Sequence, residues 1–325
     1  MQTHKTQNYL EQALLSALLV ATLLSPITAW GLGRHPGDDN RLLPGSTKAN
    51  AVVRVNNDGS GTVFSIKRDR QGDGGWLCVL TADHVNAPIG SGIGFGSGNN
   101  LPYEVTHRFR APNRVDLAVL GVRVPNLGLL PQMLLPSLSD VNNNLDLIVA
   151  GYGDKGDVRQ NTPNAYVATL ESYGTFRSGK NTIDAVEAGG SGPYQNQVIR
   201  FDLDFTRNPN QNWPPQFGEA YLFSGDSGGP SFQAQDLNGD GDTDDPGEWR
   251  LVGVHSYSRP GDFLDTNGDG QVDIEVVYEG YNSSDVHVWT YRGWIGESCA
   301  LVPEPASLIA LAVGLAGLAY RRRKR

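Results

Sequence analysis

Short apolar runs separated by turn-rich polar segments make up most of the chain. Val52 to Val55, Thr62 to Ile66, Trp76 to Thr81, Leu117 to Val122 and Leu147 to Ala150 open the series. Tyr166 to Leu170, Val198 to Phe205, Arg250 to Val254 and Val286 to Trp289 continue it. Their length and β-branched content fit strands, and glycine, proline, asparagine and aspartate fill the gaps. No helical period is sustained in the body; only Tyr291 to Ile295 offers a short helical segment. Many short strands with Gly-rich connections predict an all-β architecture.

The two ends follow a different pattern. Lys5, an apolar run from Ala13 to Leu24, Ser25-Pro26 and small residues up to Ala29 have the layout of a signal peptide over residues 1–31. A polar, Gly/Pro-containing spacer follows at 32–50. At the other end, Pro303-Glu304-Pro305 precedes an apolar stretch from Ala306 to Tyr320, and five basic residues close the chain. The stretch is shorter than the ~20 residues of a relaxed spanning helix, and the basic cluster favours a cytoplasmic end. The three elements in this order, over residues 301–325, resemble the bacterial PEP-CTERM sorting signal. That resemblance implies recognition by an exosortase-type enzyme, transient anchoring in the envelope, removal of the tail and release to the surface or beyond. A plain membrane anchor is the simpler alternative; both place the body outside the cytoplasm.

Setting both ends aside leaves about 270 of the 325 residues, enough for one large or two medium domains. The formal charge of −9 becomes −14 without the five terminal basic residues. A body this acidic has little with which to neutralise phosphates, which argues against a nucleic-acid partner. There are only two cysteines, Cys78 and Cys299. Cys78 sits in an apolar run, where a buried free thiol is the natural expectation, although pairing stays open.

Three motifs carry candidate chemistry: Thr81-Ala82-Asp83-His84-Val85, Asp116-Leu117-Ala118-Val119-Leu120 and Gly225-Asp226-Ser227-Gly228-Gly229-Pro230. A serine hydroxyl needs an imidazole to take its proton, and the imidazole needs a carboxylate to orient it. With Ala150-Gly151-Tyr152-Gly153 between them, these motifs resemble the trypsin/chymotrypsin-like serine proteases over residues 50–296. The resemblance implies two packed antiparallel β-barrels, 51–160 and 161–300, with a cleft between them. It also implies Ser227 as nucleophile, His84 as base, Asp116 as orienting acid, and the amides of Gly225 and Ser227 as an oxyanion hole. Tyr221, at the position that underlies the primary specificity pocket, speaks for a shallow or apolar pocket. Ser256, Tyr257 and Ser258 would supply its wall. The function implied is a secreted endopeptidase acting on protein or peptide substrates.

Departures from the family raise specific expectations. Asp83 replaces the usual alanine and is expected to be solvated, with perturbation of the imidazole as the alternative. The chain has no Ile-Val-Gly-Gly start whose amino terminus could pair with Asp226, so that carboxylate needs another partner. His255 is expected to be a cleft or structural residue. One alternative reading is a catalytically silent surface-binding module. Another is an α/β-hydrolase, because Gly225 to Gly229 also fits Gly-x-Ser-x-Gly, with His287 as its late histidine.

Two acidic loops share a ligand register. Asp236, Asn238, Asp240, Asp242 and Asp244 in the first match Asp265, Asn267, Asp269, Gln271 and Asp273 in the second. Oxygen donors at positions 1, 3, 5 and 9, with glycine at 6, describe a calcium loop. The closing glutamate is missing: Gly247 and Val276 stand in its place, with Glu248 and Glu275 adjacent. One or two calcium ions are therefore expected, set against plain solvated turns as the alternative.

Overall fold

The computed structural model describes residues 29–30, 45–56, 59–70, 72–96, 100–153, 155–162, 165–171, 174–188, 197–202, 220, 222, 225–258, 262–264, 274–278 and 283–302. The expected signal helix, the apolar tail, Tyr221 and the second acidic loop lie outside the described residues. After a two-residue strand, β1 (Ala29–Trp30), come β2 (Val52–Val55), β3 (Gly59–Arg68), β4 (Gly75–Thr81), β5 (Gly92–Phe95), β6 (Tyr103–Arg110) and β7 (Ala118–Val124). β2 to β7 close into one barrel in the order β2-β3-β4-β7-β6-β5. Closure pairs every strand on both sides and leaves no edge for a foreign strand. Apart from the partly exposed Trp76, the apolar residues of β2, β4 and β7 are buried, so these strands read as continuous runs rather than alternating ones.

Twelve further strands follow. They are β8 (Ser137–Leu138), β9 (Leu147–Gly151), β10 (Lys155–Thr162), β11 (Ala165–Glu171), β12 (Arg177–Asn181), β13 (Ala185–Ala188), β14 (Gln197–Phe201), β15 (Pro230–Ala234), β16 (Trp249–Ser258), β17 (Asp262–Leu264), β18 (Ile274–Tyr278) and β19 (Ser283–His287). A second sheet runs β12-β9-β15-β16-β19-β14-β13, with β8 alongside β16. Pairing thus passes from barrel to second sheet between residues 124 and 137, and the division drawn at 160 falls inside β10. A smaller sheet, β1-β10-β11-β18-β17, joins the hairpin after β9 to the hairpin after β16.

Every pairing in the second sheet is antiparallel except that of β8 with β16. This excludes the parallel sheet that an α/β-hydrolase requires. One continuous core spans the barrel and the second sheet, including Leu80, Leu120, Tyr152, Phe232, Trp249 and Val254. The molecule is mostly β, and its one α-helix among the described residues is α1 (Arg292–Leu301). Among those residues no helix is long and apolar enough to cross a membrane.

The expected free thiol is corrected by the structure. Cys78 on β4 and Cys299 on α1 form a disulfide across 221 residues of sequence. Val302 seals it on one side, packed against both cysteines. The sequence could not disclose the pairing because it depends on where α1 docks.

Candidate active site

His84 belongs to a short 3-10 turn, Asp83–Val85, that follows β4. Asp116 stands two residues before β7, the strand paired with β4, so the barrel's own ladder brings the two residues together. The His84 amide donates to Asp116 Oδ1 at 2.9 Å, and Nδ1 lies 2.7 Å from Oδ2. An ionised carboxylate only accepts, so Nδ1 carries the proton and Nε2 is the basic nitrogen. Asp116 is fully buried, whereas the imidazole keeps about a third of its surface exposed.

Ser256, expected in the pocket wall, also touches the His84–Asp116 pair. Its buried hydroxyl donates to Asp116 Oδ2 at 2.6 Å, so the second sheet contributes a donor to the carboxylate that orients His84. Tyr257 next to it is half-buried; the side chain of Ser258 lies outside what is described.

Ser227 sits in the turn before β15. Its carbonyl accepts the Ser60 amide at 2.8 Å, which fastens the loop to the barrel beside the His84 turn. Gly225 and Gly228 have φ of 84° and 81°, in the left-handed region that side chains disfavour. A Cβ on Gly228 would stand 2.1 Å from Thr81 Oγ1, which makes glycine obligatory at that contact. Asp226 is fully buried and answers the question of its partner: Gly153 N–H donates to Oδ1 at 2.9 Å. A Cβ on Gly151 would stand 2.4 Å from the same oxygen, so the Gly-Tyr-Gly segment is what lets the backbone reach the carboxylate.

Asp83 is not solvated, and the expectation is corrected. It is buried and ion-paired with Arg108 and Arg110 of β6. Nothing in the local motif announced those partners, which lie 25 and 27 residues away in sequence.

His255 forms a second histidine–carboxylate pair, with Nδ1 2.8 Å from Asp285 Oδ1, both residues fully enclosed. Its backbone accepts from Gly228 N–H and donates to Gly229 O, each at 2.8 Å, so it braces the serine turn from behind. His287 lies 2.9 Å from Asp140. Burial lowers its pKa, and the Asp140 charge opposes that shift.

In the first acidic loop, Asp236 accepts the amides of Gly239 and Gly241, which hold its pKa down. Asn238, Asp240 and Asp242 each accept the amide two residues on. Asp244 is engaged elsewhere, 2.9 Å from the buried Lys48 ammonium. Asp245 stands closer to the other acids: desolvation and the charges of Glu248, Asp240 and Asp242 raise its pKa. Glu248 is buried and accepts the amides of Leu237 and Asp245. Oxygen donors alone suit a hard cation. Among the described residues, no three His, Cys, Asp or Glu are grouped to hold a metal.

A PEP-CTERM protein-sorting motif is matched at residues 301–324. Such a signal is recognised by exosortase-type sorting enzymes and implies export with attachment to the envelope or surface through the C-terminal end. No curated protein matches the chain.

Proposed function

We propose that the body is a serine endopeptidase of the trypsin/chymotrypsin-like kind. Ser227 Oγ attacks the peptide carbonyl carbon while His84 Nε2 takes its proton. The same proton passes to the leaving amine, and water then releases the acyl group. Asp116 holds the imidazole, and the amides of Gly225 and Ser227 receive the oxyanion. The observation that carries this reading is the buried Asp116 carboxylate, bonded at once to the His84 amide, the His84 ring and the Ser256 hydroxyl. The closed barrel joined to an antiparallel second sheet supports the two-barrel fold that goes with it.

The reading extends to specificity and metal. The same reading assigns Tyr221, Ser256, Tyr257 and Ser258 to the substrate pocket, Ser256 through its backbone because its hydroxyl is committed to Asp116. Calcium would be held in the first acidic loop by Asp236, Asn238, Asp240 and Asp242, with Asp245 in place of Asp244, which pairs with Lys48. Its second site is Asp265 to Asp273. The tail anchors the body until an exosortase-type enzyme removes it and releases the protein outside the cell.

A fluorophosphonate probe tests the catalytic claim. Covalent labelling of the wild-type chain, lost in Ser227→Ala and in His84→Ala, is expected, followed by cleavage of a peptide library. A folded wild-type chain that takes no label defeats the reading and leaves a silent binding module.

A further inference from the structure

Resting on the serine-hydrolase reading, we propose that Asp83, Arg108 and Arg110 form a clamp that fixes the turn bearing His84. Asp83 is then a positioning residue for the imidazole. Its carboxylate accepts Arg108 Nη2 at 2.8 Å, Arg110 Nε at 2.8 and 2.9 Å, and Arg110 Nη2. Arg108 Nη2 also donates to the Asp83 main-chain oxygen at 2.7 Å. Side chain and backbone of the residue before His84 are therefore gripped together.

Besides the Asp116 contacts of His84 and the buried Val85 side chain, the turn holds itself only weakly. Its own backbone bonds, Val85 N to Ala82 O and Asn86 N to Asp83 O, are long at 3.3 Å. Asn86 ends it at φ 46°, a left-handed conformation that stops a helix from continuing. Both cysteines are spent on the 78–299 disulfide, so no covalent brace reaches it. Arg108 and Arg110 occupy alternate positions of β6 and so share one face. Arg110 pairs with Ala118 of β7, two residues beyond Asp116. One hairpin thus grips consecutive residues, Asp83 through two guanidiniums and His84 through Asp116.

Ion pairs taken out of water bring large desolvation costs, and apolar packing often replaces them without loss of stability. The desolvation cost here falls on the buried Asp83 carboxylate and the mostly buried Arg108, while Arg110 stays largely exposed, so a cluster beside the candidate base is better explained by geometry than by stability. Displacing a reacting group by about 1 Å can slow a reaction roughly a hundredfold.

The test is the concentration dependence of fluorophosphonate labelling, which separates the inactivation rate constant from probe affinity. Asp83→Ala and Arg108→Ala are expected to lower the rate constant at least about tenfold. Probe affinity and the near-UV circular dichroism should stay as in wild type, and Arg108→Lys should recover part of the rate. Folded variants labelling at the wild-type rate overturn the clamp. Should those variants fail to fold, Arg110→Ala decides, since its side chain is largely exposed and it spares the Arg108 contacts. In Arg110→Ala the downfield His84 Nδ1 proton resonance should broaden or vanish; a sharp, unshifted signal overturns the clamp. A wild-type chain that takes no label defeats the hydrolase reading instead, and the same resonance then settles the clamp alone.

Discussion

Burial between the barrel and the second sheet pushes the Tyr152 phenol up to about 12, against weaker lowering by the Gly96 amide and the Arg54 charge. Its hydroxyl donates to Val52 O at 3.3 Å and accepts from Gly96 N–H at 3.2 Å, and its amide donates to Ser60 Oγ at 2.9 Å, so one residue makes three bonds to the barrel segment. A folded-state pKa above the unfolded value of about 10 favours the protonated fold. That contribution is complete below pH 10 and lost as pH rises toward 12, about 3 kcal/mol in all. Denaturant titrations from pH 9 to 12 should show this decline, and Tyr152→Phe should flatten it. At this scale the His84–Asp116 contact was legible because both residues stood in short patterns with a chemical reason. Asp83 was misread because its partners come from another strand.

Among elements, the loop between β15 and β16 shows what patterning reveals and what it hides. The Asp/Asn/Gly register was visible, yet Lys48, which ties the loop to the segment before the barrel through Thr243 at 2.7 Å and Asp244, was not. Crowding of like charge at Asp245 gives a direct measurement. Desolvation first, and then the charges of Glu248, Asp240 and Asp242, raise its pKa, so its ionisation near neutral pH works against the fold and that cost is relieved as pH falls. Without calcium, Asp245→Asn should therefore raise the melting temperature slightly at pH 7. Millimolar calcium is expected to raise the wild-type melting temperature, and Asp245→Asn to abolish that rise. An equal calcium shift in both proteins would remove Asp245 from the ligand set. Strands were legible where apolar residues ran together, as in β2, β4, β7 and β9. β5 escaped notice because two of its four residues are glycines, with Gly94 so tight that a Cβ would lie 2.3 Å from Asn100 O. β6 escaped because its solvent-side arginines serve Asp83.

For the whole molecule, the all-β class was legible from run length, but not the number of sheets or the joining of two distant hairpins in the small sheet. Those depend on contacts far apart in sequence. The 78–299 disulfide closes most of the body into one loop, and a link of that span contributes on the order of 2–5 kcal/mol. Reduction, or Cys78→Ser with Cys299→Ser, should lower the unfolding free energy by about that amount and move the denaturation midpoint down with it. A midpoint unmoved by reduction would show that α1 docks as firmly without the bond.

The sorting motif starts on the last residue of α1, with Val302 wedged over Gly121 and Lys67 Nζ bonded to the Ala300 and Val302 carbonyls. Any mechanical load on the tail therefore reaches the body at a sulfur bridge rather than at the tip of a ten-residue helix. It is carried into β4, which is laced to neighbours along both flanks. A protein tugged by its tether would part at the tail before its helix unpeeled.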